Sequence, residues 1–248
     1  MMKRKGIVLA GGYGTRLSPL TEVVSKQLLP VYDKPMIFYP LTTLMQFGIT
    51  EVAIITRPQD RNYFEKLIGN GNKWNLKITY LEQPSPDGLA QAYIIAKEFL
   101  NGAPSVMILG DNIFLGGSFP ENFLTARDCQ HAATVFAKEV ENPKRFGVPK
   151  FNSNNELVGV TEKPLKPSSK YALLGLYFFD ERAPILAEGL RPSDRKELEI
   201  TDLIRKYIEE KTINCMILDS AVHWFDAGTF DSLLEAANQV ALLNKNLR

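Results

Sequence analysis

Residues 6–16 read Gly-Ile-Val-Leu-Ala-Gly-Gly-Tyr-Gly-Thr-Arg, an apolar run of strand length that ends in three closely spaced glycines. A buried strand leading into such a loop is typical of α/β proteins that bind phosphate groups, because glycine lets backbone N–H groups come close to a ligand. The loop is not a Walker loop, since no Gly-Lys-Ser/Thr ends it, and it lacks the third glycine of Gly-x-Gly-x-x-Gly. Thr15 and Arg16 add a hydroxyl and a guanidinium beside the loop, which favours a polyphosphate ligand over a plain tight turn.

Strands and helices are predicted to alternate through the first half of the chain. The strands are predicted at residues 6–10, 52–56, 76–81 and 105–109, and the helices at residues 35–47, 59–68 and 88–100. Alternation at this spacing predicts an α/β fold with a Rossmann-like, mostly parallel central sheet flanked by helices.

The pattern changes after about residue 130, where strand-like segments follow one another with short connections. Strands are predicted at residues 132–140, 147–151, 157–162, 171–179, 213–218 and 223–225, and helices at residues 183–190, 200–210 and 230–244. No repeat or flexible linker separates the two halves. We therefore predict one domain, residues 1–248, made of a first part (1–130) and a β-rich second part (131–248) that share a sheet.

The composition narrows the class of protein. Lysine and arginine number 29 against 28 aspartate and glutamate, a formal net charge of +1, so no strong overall field favours nucleic acid or a membrane surface as a partner. No window reaches 18 apolar residues, and the N-terminal apolar run is too short for a signal peptide, so we expect a cytoplasmic protein. Two cysteines, Cys129 and Cys215, and two histidines argue against a disulfide framework and against a zinc site rich in cysteine or histidine.

Two further positions carry charge suited to phosphate chemistry. Lys26 lies in Ser25-Lys26-Gln27-Leu28-Leu29-Pro30-Val31, about ten residues beyond the glycine loop, and is either a surface lysine or a second cation for the same polyphosphate. Asp111 follows a predicted buried strand, at the end where α/β sheets place ligand groups, although aspartate there also forms turns.

Motifs along most of the chain resemble those of the sugar-1-phosphate nucleotidylyltransferases, and among them the enzymes that use dTTP and glucose 1-phosphate. The matching segments are Gly11-Gly12-Tyr13-Gly14-Thr15-Arg16-Leu17, Ser25-Lys26-Gln27-Leu28-Leu29-Pro30, Glu82-Gln83-Pro84-Ser85-Pro86-Asp87-Gly88, Leu109-Gly110-Asp111-Asn112, Arg145-Phe146-Gly147-Val148, Glu162-Lys163-Pro164, Gly175-Leu176-Tyr177, Glu197-Leu198-Glu199-Ile200-Thr201-Asp202 and Trp224-Phe225-Asp226-Ala227-Gly228-Thr229. They occur in the family's order.

The resemblance implies a nucleotide site in the first part of the chain. The nucleotide-binding residues it implies are Leu9, Gly11, Gly12, Thr15, Arg16, Lys26, Gln83, Pro86, Gly88 and Asp111. Of these, Gln83 and Gly88 would recognise the thymine edge, because a side-chain amide offers both a donor and an acceptor and a glycine lets the ring approach. The alternative for Gln83 is a polar loop residue that caps the next helix.

The resemblance also implies a metal site and a sugar-phosphate site. Asp111 and Asp226 would hold Mg²⁺, the implied cofactor, with phosphate oxygens completing its coordination. The sugar-phosphate-binding residues it implies are Gly147, Glu162, Lys163, Leu173 and Gly175.

The implied reaction is attack of a glucose 1-phosphate oxygen on the α-phosphorus of dTTP, with pyrophosphate leaving. We predict Arg16, Lys26 and Lys163 as the catalytic residues, because two anions must be aligned and neutralised. The family further implies a homo-oligomer, a dimer or a tetramer. A regulatory nucleotide site that many members associate with a longer C-terminal tail is not expected in a chain that stops at Arg248.

Three positions depart from the family pattern. Pro149 interrupts a predicted strand and removes a ladder N–H, so that strand should be an edge strand or bend there. Leu173 stands where valine is common near the sugar, and Phe146 replaces a frequent tyrosine. The charged positions are all retained.

Three other functions remain open on the sequence. The first is the same reaction with UTP or another sugar, because uracil and thymine share the edge that Gln83 would read. The second is a regulatory subunit without activity, which the presence of Arg16, Lys26, Asp111 and Asp226 argues against. The third is a nicotinamide-dependent dehydrogenase, which needs an acidic residue at the end of the second strand, where this chain has Ile55-Thr56-Arg57.

Overall fold

The computed structural model describes residues 3–116, 126 and 131–246, and a seven-stranded sheet forms its centre. The strands in chain order are β1 (Lys5–Ala10), β2 (Pro30–Val31), β3 (Lys34–Pro35), β4 (Glu51–Thr56), β5 (Lys77–Glu82), β6 (Ser105–Leu109), β7 (Asn112–Leu115), β8 (Ala133–Glu139), β9 (Gly147–Phe151), β10 (Leu157–Glu162), β11 (Tyr171–Phe179), β12 (Ile213–Ile217) and β13 (His223–Asp226). The α-helices are α1 (Phe38–Gln46), α2 (Arg61–Ile68), α3 (Gln91–Ile95), α4 (Lys97–Leu100), α5 (Ala183–Glu188), α6 (Ile200–Glu209) and α7 (Phe230–Asn246).

The order of strands across the central sheet is β12-β8-β11-β6-β1-β4-β5. β1 runs parallel to β4 and β6, β4 runs parallel to β5, and β12 runs parallel to β8, whereas β11 runs antiparallel to both β6 and β8. The mixed, mostly parallel α/β sheet predicted from the sequence is confirmed. Because β1, β4, β5 and β6 point the same way, their carboxyl ends lie at one edge of the sheet.

The core lies on both faces of this sheet. Adjacent side chains of a strand point to opposite faces, so Ile7 and Val8 of β1 belong to different buried clusters. On one face Val8 packs in a cluster with Leu44 of α1, and on the other Ile7 packs in a cluster with Tyr93 of α3 and Leu203 of α6. Cover on both faces explains why the central strands read as continuous apolar runs rather than alternating ones.

Two small sheets extend the edge where the parallel strands end. β7 pairs antiparallel with β13, and β9 pairs antiparallel with β10. Pro149 lies in β9, and among the described residues β9 pairs only with β10, so it is an edge strand. The register between these two strands shifts between Leu157 and Gly159. The expectation that proline marks an edge strand is confirmed.

Several boundaries differ from those predicted. The helix predicted from residue 35 begins at Phe38, because Lys34–Pro35 pair with Pro30–Val31 instead. The helix predicted at residues 88–100 is divided into α3 and α4, with Ala96 between them. Strand β7 was not predicted at all. Cys215 is unbonded and partly buried in β12, where burial raises the pKa of its thiol to about 12, and Cys129 lies outside the described residues.

Candidate active site

The glycine loop connects β1 to a short 3₁₀ helix, Thr15–Leu17. Gly14 precedes this helix with a φ of 66°, and its carbonyl oxygen accepts a hydrogen bond of 2.8 Å from the hydroxyl of Thr21. Leu17 is fully buried, whereas the side chain of Arg16 is 53% exposed. The buried leucine anchors the turn and leaves the guanidinium of Arg16 facing the cavity described below.

Asp111 lies between β6 and β7, and its carboxylate contacts the ammonium group of Lys26. Both side chains are nearly buried. Burial alone would raise the pKa of Asp111, but the charge of Lys26 and the hydrogen bonds from Lys26 and Asn112 outweigh it and hold that pKa below its usual value. Asp111 is therefore an ionised carboxylate in a largely dry site. The alternative of Lys26 as a plain surface lysine is wrong, because its side chain is only 12% exposed.

Asp226 reaches the same place from the far end of the chain. It pairs with Asn112 in the β7–β13 ladder, and the next residue, Ala227, donates its backbone N–H to the Asp111 carbonyl oxygen at 3.0 Å. Burial and the neighbouring charge of Asp111 raise the pKa of Asp226. Two cations lie near its Oδ2 atom, Nη2 of Arg145 at 3.5 Å and Nη2 of Arg16 at 3.9 Å.

These two carboxylates could bind a divalent cation whose coordination is completed by other oxygen ligands. After burial, the charge of Asp111 is the second cause of the raised pKa of Asp226, so the two carboxylates repel each other and a positive ion between them would be favourable. The described residues hold no group of three or more His, Cys, Asp or Glu suited to a metal. Mg²⁺ suits a site of one or two carboxylates, because it retains water and takes phosphate oxygens as ligands.

The β9–β10 hairpin supplies the opposite wall. Gly147 and Glu162 face each other in its antiparallel register, and Lys163 follows directly, with its ammonium 3.7 Å from Oε1 of Glu162. Burial raises the pKa of Glu162, and Glu199 adds to this effect, while Lys163 and Arg195 oppose it. Leu173 is buried close to Gly147.

A cavity of about 800 Å³ joins the two walls. The sequence-predicted residues that line it are Thr15, Arg16, Lys26, Asp111, Gly147, Glu162, Lys163, Leu173, Gly175 and Asp226. This volume suits a ligand of nucleotide-sugar size, given that small-molecule sites usually measure roughly 300–1,000 Å³. The lining therefore combines the cations Arg16 and Lys26, the two carboxylates and residues of the β9–β10 hairpin.

The remaining predicted residues do not belong to the lining of this cavity. They are Leu9, Gly11, Gly12, Gln83, Pro86 and Gly88. Gln83 is nearly buried against Gly11, where an added Cβ would lie 2.0 Å from its Oε1 atom, and its Nε2 donates to Oε1 of Gln91 at 2.6 Å. Gly88, with a φ of 112°, is packed against the backbone of Leu198.

Several lining residues were given no role by the sequence. Arg195 forms an ion pair of 2.7 Å with the buried Glu199 and lies 3.6 Å from Glu162. Arg145 approaches Asp226, and Asn112 touches Asp111. All four residues lie within or close to the motifs quoted above, and that position is the sequence feature by which they could have been predicted. The contacts of Arg145 with Asp226 and of Arg195 with Glu162 join residues distant in sequence, so the spacing alone did not reveal them.

The chain matches the family described as nucleotidyl transferase over residues 5–242. It is 52% identical over 236 residues to the glucose-1-phosphate thymidylyltransferase of Neisseria meningitidis, covering 95% of this chain and 82% of that protein. It is 44% identical over 241 residues to the enzyme of the same name from Mycobacterium tuberculosis, covering 97% and 83%.

Solved structures agree with these matches. A Bacillus anthracis structure, assigned as a glucose-1-phosphate thymidylyltransferase in complex with sucrose, is 35% identical with a TM-score of 0.87, over 96% of this chain and 95% of that one. A UDP-glucose pyrophosphorylase complexed with UDP-glucose shares the fold at 24% identity and a TM-score of 0.83, over 97% and 99%. The chain therefore belongs to the nucleotidyl transferase family and groups there with the glucose-1-phosphate thymidylyltransferases.

Proposed function

We propose that the protein transfers a deoxythymidylyl group from dTTP to α-D-glucose 1-phosphate, which gives dTDP-glucose and pyrophosphate. The observation that carries the proposal is one cavity whose lining includes Arg16, Lys26, Asp111, Asp226 and Lys163. The names of the relatives point to the same reaction.

Charge is the main obstacle to this reaction, because both substrates are polyanions. Arg16 and Lys26 lie where they would bind the triphosphate, and Lys163 lies on the hairpin where it would hold the attacking phosphate in line. No general base is required, since a phosphate monoester oxygen is already ionised near neutral pH, with a second pKa of about 6. Asp111 and Asp226 would hold Mg²⁺, which would supply charge neutralisation for the phosphates when bound.

The hairpin wall supplies the sugar contacts in this proposal. Glu162 lies inside the cavity with its carboxylate 3.7 Å from Lys163 and 3.6 Å from Arg195, so it is held near two cations. A carboxylate in that position can accept hydrogen bonds from sugar hydroxyls. Leu173 and Gly147 line the same cavity, and in this proposal they would limit the size of the sugar.

The test is a pyrophosphate-release assay with glucose 1-phosphate and each of dTTP, UTP, CTP, ATP and GTP in the presence of Mg²⁺. We expect dTTP to give the highest kcat/KM, in line with the names of the relatives. UTP should follow, because uracil and thymine share the edge that the amide of Gln83 would read. A higher kcat/KM with UTP would replace the proposed nucleotide. Absence of pyrophosphate release with every nucleotide would contradict the proposed reaction.

Replacing Lys163 with alanine should weaken the binding of glucose 1-phosphate far more than the binding of dTTP. A charge-assisted hydrogen bond contributes about 1.5–3 kcal/mol, so the KM for glucose 1-phosphate should rise roughly 10–100-fold. The KM for dTTP should change less than about threefold, because Lys163 lies on the hairpin wall. Lys166→Ala, in the same connection and exposed, is the matched control. Equal effects on both substrates would refute this division between the walls.

We also propose that the protein is a homo-oligomer, a dimer or a tetramer, as the family resemblance implies. Phe230, Leu234 and Leu242 of α7 are 48%, 62% and 56% exposed, and such apolar area is costly in water. Light scattering coupled to size exclusion should give a mass of two or four times 27.9 kDa. A mass of one chain across the concentration range would contradict this expectation.

A further inference from the structure

Asn112 connects three segments that line the cavity, although neither the sequence motifs nor the proposed mechanism gives it a task. It is the first residue of β7 and is only 2% exposed. Its amide nitrogen donates to Oδ1 of Asp111 at 3.1 Å, and its amide oxygen accepts from the backbone N–H of Gly175 at 3.1 Å and from Nε1 of Trp224 at 2.7 Å.

These partners fix which way the amide faces. The N–H of Gly175 and the indole N–H of Trp224 can only donate, so the atom between them must be the oxygen. The NH₂ end then points at the Asp111 carboxylate and donates to its Oδ1 atom. The hydrogen-bond pattern therefore excludes the flipped orientation of the amide.

The contact with Gly175 is especially close. The β8–β11 ladder shifts register between Leu173 and Tyr177, so the N–H of Gly175 bonds to Asn112 inside this irregular segment. A Cβ added at Gly175 would lie 2.6 Å from Oδ1 of Asn112 and 2.7 Å from Cδ1 of Leu109. This wall of the cavity is thus held in place by the amide.

The two oxygens of Asp111 are approached by different groups. Lys26 contacts Oδ2, and Asn112 donates to Oδ1. Asn112 also faces Asp226 in the β7–β13 register.

We propose that Asn112 is a positioning residue that holds the Asp111 carboxylate in a fixed relation to the cavity wall formed by Gly175 and Trp224. The inference rests on the proposed function, because it concerns two of its ligands. With Asn112 in place, the metal ion held by the carboxylates and the sugar phosphate would keep a fixed position relative to each other. Residues that hydrogen-bond to metal ligands typically change metal affinity or activity by about 10–100-fold when they are replaced.

The test compares Asn112→Ala with Trp224→Phe by electron paramagnetic resonance of Mn²⁺, on protein saturated with α,β-methylene dTTP, which cannot be cleaved there. Asn112→Ala should weaken Mn²⁺ binding at least tenfold and lower kcat to a similar extent. Trp224→Phe removes one donor but leaves the Asn112–Asp111 bond, so its Mn²⁺ affinity should stay within about threefold of the parent protein. This difference between variants is what a purely structural role would not produce.

If the alanine variant does not fold, Asn112→Asp is the variant to use. Its side chain can still accept from Gly175 and Trp224. It loses the donor to Asp111, so kcat should fall at least tenfold while the KM for glucose 1-phosphate stays within about threefold. A raised KM for glucose 1-phosphate with unchanged Mn²⁺ affinity or unchanged kcat would make Asn112 a sugar contact only and overturn the proposal. Absence of pyrophosphate release by the parent protein would instead overturn the proposed function together with this inference.

Discussion

Asp226→Asn should lower kcat about 10³-fold while the protein stays folded. The substitution keeps the shape of the side chain but removes one of the two buried carboxylates that would hold the cation. Charge stabilisation by a metal contributes several kcal/mol to a phosphoryl-type transition state, and each 1.36 kcal/mol is tenfold in rate. The measurement is initial-rate pyrophosphate release across a Mg²⁺ series, with circular dichroism to monitor folding.

Asp231→Asn is the matched control for this prediction. Asp231 lies in the first turn of α7, is exposed and does not line the cavity, so its substitution should leave the rate within about twofold. Parental activity of Asp226→Asn at low Mg²⁺ would remove Asp226 from the metal site. Loss of activity in both variants would indicate a general effect on folding.

Arg16→Ala should slow the chemical step about 10²–10³-fold, as loss of one preorganised contact to developing charge does in other enzymes. The guanidinium is held by the turn after Gly14 and lies against Gly228, with Nη2 3.9 Å from Asp226. We expect it to contact the β- and γ-phosphates, whose oxygens gain charge as pyrophosphate leaves. Contacts that strengthen in the transition state raise kcat, whereas uniform binding only lowers KM.

Single-turnover kinetics at saturating dTTP measure this step directly. If Arg16 only anchors the bound triphosphate, the KM for dTTP will rise and the rate of the chemical step will stay within about twofold. That result would leave Lys26 and the metal to stabilise the leaving group. Arg191→Ala, an exposed arginine outside the cavity, should change neither constant by more than about twofold.

The fold could be predicted from the sequence wherever local pattern determines structure. Residues 7–10 of β1 and 106–109 of β6 are continuous apolar runs, which predicts buried strands, and the glycine loop follows β1 directly. β7 could not be predicted, because four residues give too short a pattern and its partner β13 lies far along the chain. The bond between Asn112 and Trp224 spans 112 residues, so only the assembled fold reveals it.

The candidate site divides in the same way. Asp111 and Lys163 follow strands within recognisable motifs, so their positions could be expected. The ion pair between Lys26 and Asp111 could not be predicted, because it depends on how two distant segments of the chain meet. Arg195 and Glu199 form an ion pair within their own segment, yet its approach to Glu162 depends on how that segment packs against the hairpin.

The antiparallel strand β11 also affects the order in which the sheet can assemble during translation. β1, β4, β5 and β6 can pair among themselves once residue 109 has been synthesised, but β6 then has a free edge until Tyr171–Phe179 arrive. At roughly 5–20 residues per second this edge stays open for about 4–14 s of translation. Ser105–Leu109 carry no charged side chain, and an open apolar edge is a template for pairing with other chains. Nascent chains that end before β11 should therefore depend on chaperones to remain unaggregated.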